Sequence, residues 1–373
     1  MASLKGVTLT LLMGPVAVAP APRAIVDALE SATATQAVGQ RSGFQLTFAL
    51  SKTSPILTDL VPSGAFDPLV RVILVATLNG VAKVLADGPI KRTDLTVSSK
   101  PGEYKFVVTG EDVSGYMDLL DFTGFPFPAM PSFARVALMM AKYAAFGVVP
   151  LTIPAPFSFA PLPTEKIPSQ EGSDYEYANK LAKDAGYEFY VTPGPLPGAN
   201  TAYWGPQARV GLPQTTPLTI DFDQAGQTNA ISLTVDGNQA ILPYGHVKVA
   251  NFSVPVPVPD IGLLKPPLAS RPIPPTKVRL LETERLGPVE VAATLLSGRG
   301  GAEPVTASGS VDLVRYGRPI DARSLIFVRG ASRAYNGLWY VRSVSHALGR
   351  GSWRQTFQLS RDGLISQTPR VPT

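Results

Sequence analysis

Residues 167–206 read IPSQEGSDYEYANKLAKDAGYEFYVTPGPLPGANTAYWGP, and their pattern decides the fold class. Ser173 stands three residues before Glu176, the spacing of a reciprocal N-cap in which each side chain accepts the other's backbone N–H. Tyr177, Ala178, Leu181, Ala182 and Ala185 then recur at helical spacing, and Gly186 supplies the left-handed residue that ends a helix. The run YEFYV from Tyr187 is aromatic and β-branched enough for a strand. Pro and Gly over residues 193–200 turn the chain, and Tyr203-Trp204-Gly205-Pro206 closes a helix–strand–turn–strand unit.

Composition fits that unit into a mainly β protein. At 373 residues the chain has room for two to four domains. A 16% charged and 45% apolar composition excludes a wholly disordered chain, and 37 Pro with 33 Gly favours short strands and loops over long helices. The net charge of +5 is scattered, without the one-sided basic face of a sequence-specific nucleic-acid reader. With no Cys, disulfides and thiolate zinc sites are excluded. The two histidines, His246 and His346, are far apart in the chain and cannot by themselves form a His-rich metal site.

Working outward, residues 7–13 (VTLTLLM) follow Lys5 and precede AVAPAP, which mimics a secretory leader, yet their alternation favours a strand. No run reaches the roughly 20 apolar residues of a membrane span. Strands are expected at 43–48, 70–78, 81–85 across an Asn79-Gly80 hairpin turn, 94–98 and 104–109, with a short helix or ordered turn at 22–29. Six or so strands on short turns imply a closed barrel over residues 1–112. Helices are expected at 113–121 and 132–146, the second apolar nearly all round and therefore buried, with Met139 and Met140 as core filler. Further strands fall at 217–222, 230–235, 241–243 and 246–252, with Asp236-Gly237 as a hairpin turn, and then at 309–314, 324–328, 337–344 and 353–359. Residues 254–301, with PVPVPDIGLLKPPLASRPIPP, form a Pro-rich insertion, either a linker or an ordered arm. VRVILVATLNGVAKVL…YKFVVTGEDVSG loosely parallels RSLIFVRGASRAYNGLWYVRSVSHAL…WRQTFQLSRDG, a hint of internal duplication.

Candidate chemistry is sparse. Asp221 and Asp223 alternate on one strand but lack the other acidic or His ligands of a metal site. His346 lies beside Ser343 and Ser345 without a nucleophile elbow or an acid, and reads as a strand residue at a barrel turn. Residues 298–301, GRGG, lack the context of a phosphate loop. No catalytic, cofactor or metal residue is assigned. Tyr203, Trp204, Trp339 and Trp353 are the candidate interface anchors, as aromatic residues dominate cores and interfaces alike.

Four segments carry a family resemblance: residues 44–48, 104–115, 169–206 and the closing YVRSVSHALGRGSWRQTFQLSRDG. They resemble phage tail baseplate hub proteins of the late control D family, which also form the hub of contractile injection systems. The resemblance implies a mainly β chain with an α+β insert, in which two antiparallel tail-tube-like β-barrels flank an α/β domain. It divides the chain into a first barrel (1–112), an α/β domain (113–207), a discontinuous second barrel (208–253 and 302–363), the Pro-rich insertion (254–301) and a C-terminal tail (364–373). It implies a homotrimer that adapts a hexameric tail tube to a trimeric spike, lines the central channel, contacts baseplate wedge proteins and is assembled in the bacterial cytoplasm as part of a tail particle. No catalysis and no cofactor is implied. Only ten residues follow Gly363, so the spike is expected to be a separate chain. The competing reading is a secreted β-rich carbohydrate-binding or hydrolytic protein, supported by the leader-like start and the aromatic content.

Overall fold

The computed structural model describes residues 6–97, 103–155, 167–207, 209, 211–214, 216–220, 228–249, 252–257, 266–280 and 303–367. The first third is β1 (Val7–Gly14), β2 (Ala19–Pro20), α1 (Arg23–Ala28), β3 (Leu29–Ala37), β4 (Gly43–Leu50), β5 (Arg71–Leu78), β6 (Val81–Val97) and β7 (Tyr104–Glu111). The middle unit is α2 (Ser132–Ala141), β8 (Val148–Thr152), α3 (Asp174–Ala185), β9 (Glu188–Pro193) and β10 (Asn200–Gly205). The last third begins with β11 (Leu218–Thr219), β12 (Thr228–Val235), β13 (Ile241–Val249), β14 (Phe252–Pro257), β15 (Ala269–Pro272) and β16 (Lys277–Leu280). It ends with β17 (Val305–Asp312), α4 (Leu313–Tyr316), β18 (Leu325–Arg329), β19 (Gly337–Gly349), β20 (Ser352–Arg361) and β21 (Gly363–Ser366).

The two terminal thirds share one sheet. Its hydrogen-bonded order is β12-β17-β20-β19-β3-β4-β7-β6-β5-β1-β2, with β18 on β19 and β11 on β18. Two separately closed barrels were the expectation. Among the described residues this path has no closing pair, because β3 gives one edge to β4 and the other to β19. The core follows the ladder: Phe44, Phe48 and Phe106 from the first third belong to the same apolar cluster as Trp339, Phe357 and Leu359 from the last.

The two thirds repeat each other strand by strand. On β6 and β7, Ile90 pairs with Gly110, a bulge follows, and the run goes on from Arg92–Thr109 to Val97–Tyr104. On β19 and β20, Val341 pairs with Leu359, a bulge follows, and the run goes on from Ser343–Gln358 to Leu348–Trp353. β3 on β4 and β12 on β17 also match, each with a bulge at the same place, Leu29/Ser31 and Thr228/Ala230. The outermost strands differ, since β1 is antiparallel to β5 whereas β11 is parallel to β18.

β6 is one 17-residue strand rather than two shorter ones. Its first part pairs with β5 and its last part with β7, and it changes partner around Gly88-Pro89 and the bulge that follows. A Cβ on Gly88 would lie 2.1 Å from the Glu111 carbonyl oxygen, so only glycine allows that close approach.

In the middle unit, β8 and β10 run parallel and β9 is antiparallel to β10. The expected helix ends are present: Ser173 Oγ accepts from Glu176 N, Glu176 accepts from Ser173 N, and Gly186 has φ +67°. Helix α2 ends at Ala141, and residues 144–146 form a 3₁₀ turn. It is one-sided rather than buried all round: Val136, Met139 and Met140 are in the core, while Leu138 is exposed.

Asp236-Gly237 does not make a hairpin. Asp236 accepts the backbone N–H of Asn238 at 2.9 Å to cap a 3₁₀ turn, and the strands either side go to different sheets. β13 pairs with β14 and β16, so parts of the Pro-rich insertion form regular strands, and β15 pairs with β21 near the chain end.

Candidate functional site

A cluster of buried polar side chains lies where the middle unit meets the first β third. Arg71 opens β5 opposite Pro89, and Asp87 lies diagonally from it on β6, opposite Ile73. The guanidinium grips the carboxylate through two bonds, Nε to Oδ1 at 2.6 Å and Nη2 to Oδ2 at 2.8 Å. Arg71 also donates to the Phe146 carbonyl at 2.8 Å, and Asn200 at the start of β10 donates to Asp87 Oδ2 at 2.8 Å and to Phe146 O at 3.1 Å. All three side chains are buried. A bidentate Arg–carboxylate pair with its remaining sites filled fixes orientation as well as position, so this knot clamps β10 and the 3₁₀ turn onto the corner of β6.

A second contact brings in the last third. Arg323 adopts a left-handed φ of +59° in the loop before β18, donates to Ala37 O at 2.7 Å, and places its guanidinium 3.9 Å from the centre of the Tyr190 ring. Tyr190 stacks on Tyr203 at 4.9 Å, and Tyr203 Oη donates to Pro206 O at 2.7 Å. Burial raises the Tyr190 hydroxyl pKa to about 12, against the opposing pull of Arg323. Lys83 on β6 pairs with Asp321 in the same loop. The three parts of the chain thus meet at one charge-assisted junction.

The expected anchors divide into two kinds. Tyr203 is half-buried at this junction, whereas Trp204, Trp339 and Trp353 lie wholly inside the chain's own core. Trp204 donates to Ala178 O on α3 at 3.3 Å and meets Tyr187 edge-on. Trp339 donates to Tyr335 O at 2.8 Å beneath the Arg361 guanidinium, which is held by the carbonyls of Ala334, Asn336 and Gly363. Burial lowers the Arg361 pKa to about 10. In this conformation the tryptophan rings have no surface to offer a partner.

His346 is a strand residue, three positions before the end of β19 at Gly349 and the turn that leads into β20. Trp353 Nε1 donates to its Nδ1 at 3.1 Å, and the Gln355 amide, held by both backbone groups of Ile320, sits at its Nε2. Burial, with the positive charge of Lys83, lowers its pKa to about 3, so the ring is neutral. Ser345 bonds instead to Thr35 across the strand pair. Among the described residues no group of three or more His, Cys, Asp or Glu side chains lies together, and no helix is long and apolar enough to cross a membrane. Asp221, Asp223 and residues 298–301 lie outside the described residues.

Sequence reading passed over Arg71, Asp87, Asn200, Arg323 and Arg361. The one available signal was a charged residue at each side of an apolar strand pair, Arg71 before VILVATL and Asp87 within VLADGPI.

The sequence matches no family model and no curated protein. Solved structures do match. The tail protein of Neisseria meningitidis MC58 aligns over 96% of this chain and 98% of its own, with TM-score 0.62 at 13% identity. The 43 kDa tail protein of prophage MuSo2 from Shewanella oneidensis aligns over 97% and 100%, with TM-score 0.61 at 11% identity. An Escherichia coli component of the type VI secretion system, itself structurally similar to bacteriophage T4 tail proteins, aligns over 92% and 75%, with TM-score 0.51 at 11% identity. At these identities the likeness is one of fold: nearly the whole chain has the fold of these tail proteins.

Proposed function

We propose that the chain is a structural, non-catalytic baseplate hub of a phage tail or a tail-like contractile injection system. Three copies form a ring that joins a hexameric tail tube to a separate trimeric spike and lines the channel between them, with wedge proteins on the outside. The particle is assembled in the bacterial cytoplasm. The observation that carries this reading is the duplicated ladder within a tail-protein fold: two matching β thirds in each of three chains present six similar modules to a six-fold tube and three chains to a three-fold spike. The junction of Arg71, Asp87 and Asn200 supports it, because a load-transmitting ring needs its modules held at fixed angles.

The working division follows the expected boundaries. Residues 1–112 and the pair 208–253 with 302–363 are the tube-like modules, 113–207 the α/β domain between them, 254–301 the arm, and 364–373 the tail. The paired strands β15 and β21 tie arm to tail. Light scattering on the purified chain, alone and co-expressed with a candidate spike protein, tests the reading. A mass of three times 39.5 kDa in either condition is the expected result. A monomer in both overturns it and returns the secreted binding protein to first place.

A further inference from the structure

Besides its differing outermost strands, the internal duplication has an unmatched inner contact among the described residues. Within the chain, β3 of the first third lies along the second part of β19, from Ala37 opposite Ser343 to Ser31 opposite Gly349. The counterpart of β19 in the first third is β6, and the counterpart of β3 in the last third is β12. Among the described residues neither counterpart has a neighbour at the corresponding edge. The second part of β6 pairs only with β7, and β12 pairs only with β17, among the described residues.

The side chains register the vacancy. On β19 the core-side positions Val344, His346 and Leu348 are 1%, 1% and 3% exposed, closed off by β3. The matching positions on β6, Thr93, Leu95 and Val97, are exposed, Leu95 by 49% and Val97 by 63%, although Leu95 lies opposite buried Phe106. Nor is β12 defended as sheet edges usually are: its sequence, TNAISLTV, has no charge and no Pro.

We propose that β12 of one copy pairs antiparallel with the second part of β6 of the next copy, repeating between chains the β3–β19 contact made within each. This rests on the ring reading above and specifies its interface. Carrying over the register of β3 on β19 sets Leu95 opposite Leu233, Thr96 opposite Ser232 and Val97 opposite Ile231 of the neighbouring copy. Ile231 and Leu233 are already half-buried against the core, so the joined strands extend the apolar layer across the subunit boundary. The same register sets Arg92 opposite Asp236, a charge-complementary pair at the end of the contact. Each copy offers one edge of each kind, so the contact is heterologous, and three copies close it into a ring.

The chain has no native Cys, so engineered cysteines report without background. The test is oxidation of a Thr96→Cys, Ser232→Cys variant, and separately of a Leu95→Cys, Leu233→Cys variant, with both products read on non-reducing gels. The two pairs sample both alternating pair geometries of an antiparallel ladder. Covalent trimers from at least one pair are expected, and none from the shifted pair Thr96→Cys, Thr228→Cys. A Thr33→Cys, Ala347→Cys variant, opposite each other within the chain, is the positive control for an intrachain bond. A Leu95→Glu, Val97→Glu variant should lose the trimer mass while keeping the circular dichroism of the parent chain. A parent chain that is trimeric by light scattering but forms no covalent trimer from either predicted pair overturns the strand pairing and leaves the hub reading standing. A parent chain monomeric alone and with the spike overturns both.

Discussion

Strands β6 and β7 and strands β19 and β20 keep the same register and the same bulge but fill the space between them differently. In the first third, Leu95 faces Phe106 and Val97 faces Tyr104, an apolar and aromatic layer. In the last third, His346 faces Gln355 and Leu348 faces Trp353, so the same layer has a hydrogen-bonded trio of Trp353, His346 and Gln355. The reverse exchange occurs at the corner: the first third has the Arg71–Asp87 ion pair, where the last has Leu325 and Leu338 in an apolar cluster. Register is held by backbone hydrogen bonds and side-chain alternation, so the layers can change chemistry as long as each buried polar group finds a partner.

Four changes test how far that comparison holds. Asp87→Ala should have the largest effect, about 3–5 kcal/mol, because it leaves the Arg71 guanidinium buried without its carboxylate. A denaturant midpoint measures it, and a loss under about 1 kcal/mol would show that the ion pair is replaceable by the apolar design of the other third. Trp353→Phe keeps most of the ring but strips His346 of its donor, and should cost about 1–3 kcal/mol by the same measurement. Ser173→Ala removes one half of the reciprocal cap of α3 and should cost about 1 kcal/mol, with loss of helical signal confined to the middle unit. His346→Gln should have the smallest effect at neutral pH and show itself on acidification. With a folded pKa near 3 against an ordinary 6.5, the unfolded chain takes up the proton first. Stability is therefore full above about pH 6.5 and is lost as pH falls toward 3. Melting temperatures across that window should fall less steeply for the variant, and parallel curves would remove His346 as the cause.

Much of the fold could be read from sequence because its signals are local. The cap at Ser173 and Glu176, the left-handed Gly186 and the strand of residues 7–13 each depend on side chains within a few positions of one another. β3 could not be read in the same way. Its core-side residues include Ala32 and Ala34 within LESATATQA, too small and too polar a run to announce a strand, yet it is the strand that joins the two thirds. Small residues are needed there because His346 and Leu348 press against that edge. The Asp236-Gly237 turn misled for the opposite reason: a strong local signal was overruled when β12 went to β17 and β13 to β14.

The candidate site divides along the same line. Tyr203 and the three tryptophans stand out by composition alone, but which of them face a core and which a surface depends on neighbours distant in the chain. Arg71, Asp87 and Asn200 carry no motif, and they become one knot only because β5, β6 and β10 converge. Sequence by itself determined the mainly β character, the capped helix of the middle unit and the trace of duplication, all products of short-range periodicity and turn chemistry. Tertiary structure alone decided that the two thirds share a single ladder, which of its edges are unpaired among the described residues, and which polar side chains lock the modules together, since strand pairing and buried charge depend on contacts between residues that the chain order keeps far apart.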